Sequence, residues 1–152
     1  LAALETSEGS FVYLGGPEAQ ISEQAARLGA DARRGLVWPE SIADPVQLGF
    51  RVPAAQVVDA VGWMQRLGAL RWIGQHGVGI VSGGFDGFDT EGFTVARRWA
   101  ESVGGALVVT AGRTGAFDPW GAPPPSIEIQ RRIKEAFDPA GICNASILAG
   151  GL

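Results

Sequence analysis

Short apolar runs alternate with amphipathic segments along most of the chain. Residues 10–14 form a β-branched and aromatic run that ends at two glycines, which predicts a strand. A helix is predicted from Pro17 to Gly29, because apolar residues recur there at helical spacing. Residues 35–38 predict a second short strand, which Pro39 ends. This part of the chain is therefore expected to form a strand–helix–strand unit.

A second unit of the same kind follows. Residues 46–52 alternate apolar and polar side chains with period two, which predicts a strand buried on one face, and a helix is predicted from residue 53 to 68. Residues 70–73 and 78–81 predict two strands joined by a hairpin turn at 74–77. A third helix, 91–103, and a last strand, 106–110, complete the pattern.

The C-terminal part has a different character. Residues 113–125 are rich in glycine and proline, which predicts a loop that ends in a stiff extended spacer. Ser126 is placed to cap a final helix whose Ile129, Ile133, Ala136 and Phe137 share one side. An irregular tail is expected from there to residue 152.

The order of elements and the alternating strand at 46–52 favour an α+β fold over a doubly wound parallel sheet. Strands that are buried on both faces read as continuous apolar runs, and this strand does not. We therefore predict one domain over residues 1–152. Its sheet is largely antiparallel with helices on one face, in a ferredoxin-like arrangement, followed by a C-terminal helix and tail.

Composition narrows the function classes. The chain has 152 residues, of which 46% are hydrophobic and 18% charged, which is typical of a folded globular domain. Its net charge of −4 argues against nucleic acid, and no apolar run is long enough to span a membrane. The single cysteine, Cys143, predicts a reducing, cytoplasmic setting, with membrane association only through a complex. The start at Leu1 does not look like a signal peptide, so we expect a segment of a longer protein.

Motifs for chemistry are few. The glycines of residues 77–84 flank and interrupt a predicted strand, so turn or bulge roles fit them better than a dinucleotide loop. His76, the only histidine, is a candidate base if its turn faces a cofactor, although a solvated position is the more common role. Asp89 or Thr90 is expected to cap a helix rather than bind calcium.

The basic residues of the last helix, Arg131, Arg132 and Lys134, indicate a solvated or interdomain face, with a phosphate contact as the alternative.

The most specific sequence signal lies at residues 129–144, which read IQRRIKEAFDPAGICN. This stretch resembles the terminal motif of FAD-linked oxidases of the vanillyl-alcohol oxidase type. Residues 48–53, LGFRVP, and 69–73, ALRWI, extend the likeness to one branch of that family, the glycolate oxidase FAD-binding subunits. The three segments occur in the same order as in that branch, and the likeness covers about residues 9–148.

The resemblance implies a C-terminal lobe that caps the flavin and forms part of a substrate pocket for glycolate or a similar 2-hydroxy acid. It implies that FAD is held mainly by an N-terminal FAD-binding domain outside this chain, and that other glycolate oxidase subunits are partners. By position in the motif, Asn144 is the expected cofactor contact. Arg51 and Arg71 are candidates to pair with the substrate carboxylate, since a guanidinium suits bidentate carboxylate binding. The fragment alone is not expected to be active.

Two departures keep alternatives open. The family's Asn-Pro-Gly reads Asn144-Ala145-Ser146 here, which loses a rigid turn. The glycine-histidine metal motif of the related catalytic subunits is missing, so no metal is expected and no catalytic base is identified. A free-standing α+β ligand-binding or regulatory module is the main alternative, and a lobe that only scaffolds a multi-subunit complex is another.

Overall fold

The structure is a computed structural model that describes residues 2–29, 41–143 and 150. The described residues contain six β-strands and four α-helices. The strands are β1 (Ala2–Thr6), β2 (Gly9–Tyr13), β3 (Val46–Arg51), β4 (Arg71–Gln75), β5 (Ile80–Phe85) and β6 (Ala106–Ala111). The helices are α1 (Glu18–Leu28), α2 (Val57–Arg66), α3 (Thr90–Ser102) and α4 (Ile127–Phe137), with a 3-10 turn at Ala54–Gln56 before α2.

The strands form one sheet in the order β2-β1-β4-β5-β3-β6, and each strand pairing is antiparallel. The segment β3-α2-β4-β5-α3-β6 has the connectivity and strand order of a ferredoxin-like unit. The hairpin β1-β2 extends the sheet beyond β4. The predicted α+β class, with its antiparallel sheet and C-terminal helix, is confirmed.

The core lies between the sheet and the two helices α2 and α3. Successive strand residues point to opposite faces, so Leu48 and Phe50 of β3 project to the same side. Both are fully buried, together with Met64 of α2 and Phe93 of α3. The Phe50 ring meets Trp99 of α3 edge to face, with ring centroids 5.5 Å apart. The apolar positions in the alternating pattern of residues 46–52 therefore face the helices.

The predicted hairpin turn was placed too early. It spans residues 76–79 rather than 74–77, and Gly74 lies within β4. A side chain at Gly74 would contact Val61, so this glycine lets α2 approach the sheet rather than bend the chain. Gly79 takes the turn position instead, with φ +72°, and a Cβ there would overlap the carbonyl oxygen of Val52.

Other local predictions had mixed outcomes. Asp89 caps α3 as expected, because its side chain accepts a hydrogen bond from the Gly92 N–H at 3.0 Å. Ser126 stands at the start of α4, but its side chain makes no capping bond and its Oγ accepts instead from Gln130. Strand β1 was not predicted. The strand predicted at residues 35–38 lies outside the described residues.

Candidate functional site

The face of the sheet opposite α2 and α3 carries a set of mostly polar side chains, which we call the polar face. Alternation along each strand places them there, since the residues between them point into the core. The polar side chains of this face are Gln47 and Arg51 of β3, Arg71 and Gln75 of β4, Ser82 of β5 and Thr110 of β6, and the apolar Ile73, Ile80 and Val108 lie among them. At β1 this face is not open to solvent, because Leu4 and Thr6 are buried there.

A concavity of about 200 Å³ lies in the middle of the polar face. Hydroxyl and amide groups line much of it, from Gln47, Gln75, Ser82 and Thr110. Ile42, which precedes β3, gives one apolar wall. A shallow site with hydroxyl and amide donors beside an apolar wall suits a small polar ligand better than a dinucleotide.

Arg51 lies at one end of the polar face, beyond the concavity. Its guanidinium lies back along the strand over Gly49, where even a Cβ would collide with it. The Arg51 Nη1 donates to the Phe50 carbonyl at 3.1 Å, and among the described residues no carboxylate pairs with this arginine. Desolvation lowers the pKa of Arg51 from its ordinary value. The guanidinium therefore keeps donors that a carboxylate ligand could use.

Arg71 lies at the opposite end of the same face. Its Nη2 donates to the Asp44 carboxylate at 2.8 Å, and its Nε approaches the other oxygen at 3.3 Å. The two arginines are four residue steps and two strand spacings apart, so their Cα atoms are separated by about 16 Å. The structure thus places both predicted arginines on one face, at opposite ends of it.

His76 does not reach the polar face. Its Nε2 lies 3.1 Å from Glu5 Oε2, and Glu5 stands opposite Gly74, on the side of the sheet that faces the helices. His76 is therefore not placed to act as a base on a ligand that lies on the polar face.

The C-terminal motif folds around Asp138. The Lys134 Nζ donates to Asp138 Oδ2 at 2.8 Å, and the backbone N–H groups of Ile142 and Cys143 donate to the same carboxylate. Lys134 also donates to the Cys143 carbonyl at 2.7 Å. These bonds fix the turn that follows α4, and they explain in physical terms why the motif combines Lys, Asp and Gly at this spacing. Asn144, the predicted cofactor contact, lies outside the described residues.

We expect this turn to open only in strong acid. The hydrogen bond from Lys134, reinforced by the N–H groups of Cys143 and Ile142, lowers the pKa of Asp138 to about 2. Because the unfolded value is about 3.9, the stabilisation is present above that pH and is lost as pH falls toward 2. An NMR titration of the Ile142 and Cys143 amides should show a midpoint near 2.

Lys134→Gln tests the cause of that shift, because it removes the largest contribution. The midpoint reported by the two amides should then rise toward the ordinary aspartate range. An unchanged midpoint in Lys134→Gln, or an ordinary one in the wild type, would contradict the role given to this ion pair.

Helix α4 leaves an apolar stripe in solvent. No residue of α4 is buried, and Ile129, Ile133 and Phe137, spaced four residues apart, are 60%, 53% and 87% exposed. On its polar side Arg131 pairs with Glu128. The expectation that the basic residues face solvent or another domain is met for Arg131 and Arg132, which are exposed, whereas Lys134 is engaged by Asp138.

The polar side chains of the concavity, including Gln75, Ser82 and Thr110, were not predicted from the sequence. Period-two alternation in β4, β5 and β6 puts these residues opposite the core positions, so the sequence contains a signal for them. Glycines interrupt β4 and β5 and weaken that signal. In β5, Gly83 packs beneath Met64 and Gly84 beneath Ile42 and Asp44.

The glycine run at residues 77–84 is not a dinucleotide-binding loop. It forms a hairpin turn and strand β5, whose last two glycines lie beneath other side chains. A glycine loop that holds the phosphates of a dinucleotide opens a helix with free N–H groups, and this run does not.

Neither a scan against protein-family models nor searches of curated proteins and solved structures found a match to the chain. Within the described ranges, no helix is long and apolar enough to cross a membrane, and no group of three or more potential metal-ligating side chains occurs.

Proposed function

We propose that the chain is the C-terminal lobe of an FAD-dependent oxidoreductase that oxidises glycolate or a similar 2-hydroxy acid. The observation that carries this proposal is the polar face, which combines a small concavity with the guanidinium of Arg51, and no carboxylate of the described residues pairs with that guanidinium. In this role the polar face would cover a flavin and its substrate. FAD itself would be held by an N-terminal domain outside the described residues.

The distribution of buried residues supports a lobe that packs against a second domain. The sheet is packed by α2 and α3 on one side, whereas the other side carries amides, hydroxyls and arginines around a concavity. Sites for small ligands commonly lie between domains, where each domain supplies one wall. The polar face has the composition expected of such a wall.

The C-terminal segment gives separate support. The residues that resemble the family motif include the Lys134–Asp138 pair, whose hydrogen bonds hold the turn before Asn144. The stripe of Ile129, Ile133 and Phe137 lacks a partner within the described part of the chain. Apolar stripes of this kind commonly mark a protein interface. In the proposal the stripe packs against the FAD-binding domain, and Asn144 approaches the cofactor.

The proposal gives the residues of the polar face different roles. Arg51 binds the substrate carboxylate, while Gln75 and Ser82 are available to the 2-hydroxyl group. Arg71 orients the segment before β3 through Asp44 and does not touch substrate. No residue of this chain is assigned as the base. Other subunits of an oxidase complex and a cytoplasmic setting belong to the same proposal.

Arg51→Gln is the variant that tests the site. In the complete protein it should lower kcat/KM for glycolate roughly ten- to hundredfold, mainly through KM, because a hydrogen bond to a charged group contributes about 1.5–3 kcal/mol. The flavin content should remain that of the wild type. Steady-state kinetics at saturating electron acceptor, together with a flavin spectrum, measure both quantities.

Two other arginines serve as controls. Arg27→Gln changes an exposed residue of α1 that pairs with Glu23, and it should leave the kinetics unchanged. Arg71→Gln should have a smaller effect on KM than Arg51→Gln, because its guanidinium is already bound to Asp44. Equal KM values for Arg51→Gln and the wild type would exclude Arg51 as the carboxylate ligand.

A further inference from the structure

A second, larger cleft lies away from the polar face, between the flank of α3 and the loop that follows β6. Its volume is about 540 Å³. The loop is tied to the edge of the sheet by a hydrogen bond from the Val109 N–H to the Pro119 carbonyl, 2.8 Å long. The residues that give the cleft its chemistry are Arg97, Arg98, Glu101, Thr114, Gly115 and Asp118.

Arg97 is held rigidly at the inner wall of this cleft. Its Nε donates to the Leu107 carbonyl at 3.2 Å, and its guanidinium carbon lies 4.0 Å from the centre of the Phe117 ring. Gly121 approaches so closely that a Cβ there would lie 3.1 Å from the Arg97 Nε. A guanidinium fixed by a hydrogen bond, a ring face and a backbone contact is pre-organised for binding.

One nitrogen of this guanidinium lacks a partner. The Arg97 Nη2 is buried and has no hydrogen-bond acceptor among the described residues. Burial lowers the pKa of Arg97, and the nearby charges of Asp118 and Glu101 counter this effect. Since leaving a buried donor unpaired is costly, such an atom indicates an acceptor that the described residues do not supply.

The two carboxylates that line the cleft accept hydrogen bonds from the backbone of the loop. Asp118 accepts hydrogen bonds from the N–H groups of Trp120 and Gly121, and Glu101 accepts one from Ala122 at 3.4 Å. These contacts turn the carboxylates toward the loop backbone. Fewer carboxylate oxygens therefore compete for the arginines of the cleft than the presence of two carboxylates suggests.

Further donors border the same space. Arg98 is exposed on the outer rim, and no hydrogen bond within the described ranges engages its side chain or that of Thr114. The N–H groups of Gly115 and Ala116, at the tip of the loop, also have no backbone acceptor in that part of the chain. Guanidinium, hydroxyl and amide donors in one cleft match the several acceptor oxygens of a phosphate group.

We propose that this cleft binds the phosphate group of a small metabolite, with Arg98 as the mobile contact and Arg97 as the fixed one. The cleft flanks α3, whereas the polar face is on the opposite side of the sheet. Binding here is therefore independent of the proposed oxidoreductase function, and each proposal can fail without the other.

Isothermal titration of the chain with inorganic phosphate and with pyrophosphate tests this proposal. Both probes should bind saturably with one site per chain. Arg98→Gln should weaken binding about tenfold or more, since it removes a charge-assisted contact at the rim. Thr114→Val should weaken it less. Arg132→Gln, which removes an exposed arginine of α4 outside the cleft, should bind as the wild type does.

Other outcomes overturn the proposal. Absence of saturable binding would mean that the partner of the Arg97 Nη2 is water. Equal weakening by Arg98→Gln and Arg132→Gln would indicate general attraction to positive charge. Tighter binding of malonate than of pyrophosphate would assign the cleft to carboxylates instead. Circular dichroism of each variant shows that the fold is retained, and the rim position of Arg98 makes it a safer test than Arg97.

Discussion

Replacing Phe50 with alanine is expected to lower the free energy of unfolding by about 3–5 kcal/mol, the usual cost of removing a buried phenylalanine. Phe50 is fully buried near the C-terminal end of β3, between its neighbours Val81 and Leu107 on the adjacent strands. Its ring also packs edge to face on Trp99 of α3. The substitution would therefore leave a cavity at the junction of sheet and helix. Urea unfolding followed by circular dichroism measures the effect.

Phe137→Ala is the matched control, because it removes the same side chain from a position that is 87% exposed. Its effect on the isolated chain should stay within about 0.5 kcal/mol, as for other surface substitutions. Similar losses for the two variants would mean that the core does not lie between β3 and α3. Comparing the two variants also separates the stability of the core from docking, since Phe137 belongs to the stripe that is proposed to pack against another domain.

Much of the fold was predictable because long elements carry strong periodicity. The alternation in residues 46–52 and the helical spacing around Ala96 and Ala100 each reflect one buried face. The observed helices begin and end within a few residues of the predicted bounds. The ferredoxin-like order followed from these elements, since a repeated strand–helix–strand pattern with a hairpin allows few antiparallel arrangements.

The failures have a common physical origin in tertiary contacts. Gly74 was interpreted as a turn residue, although its lack of a side chain serves the approach of Val61 from α2. Strand β1 carries few β-branched residues, and its pairing with β2 and β4 stabilises it. Periodicity within a short window contains no information on such contacts.

The candidate site was less predictable than the fold. The sequence singled out Arg51 and Arg71, and the structure places both on the polar face, but only the structure shows that Asp44 pairs with one of them. Arg97 and Arg98 of α3 were not predicted as site residues. Their spacing from Thr90 and Thr94 puts all four on the outer part of α3, which is a signal available in the sequence.

Flavin content distinguishes the proposed lobe, which covers a flavin held by another domain, from a free-standing module. The chain should be purified alone and together with the sequence that precedes it in the gene, and FAD should be measured by its visible absorbance. We expect no FAD with the chain alone, because the glycine run at residues 77–84 does not form a dinucleotide-binding loop, and stoichiometric FAD with the longer protein. A longer protein that lacks flavin and does not take up added FAD would contradict the proposal, as would stoichiometric FAD on the chain alone.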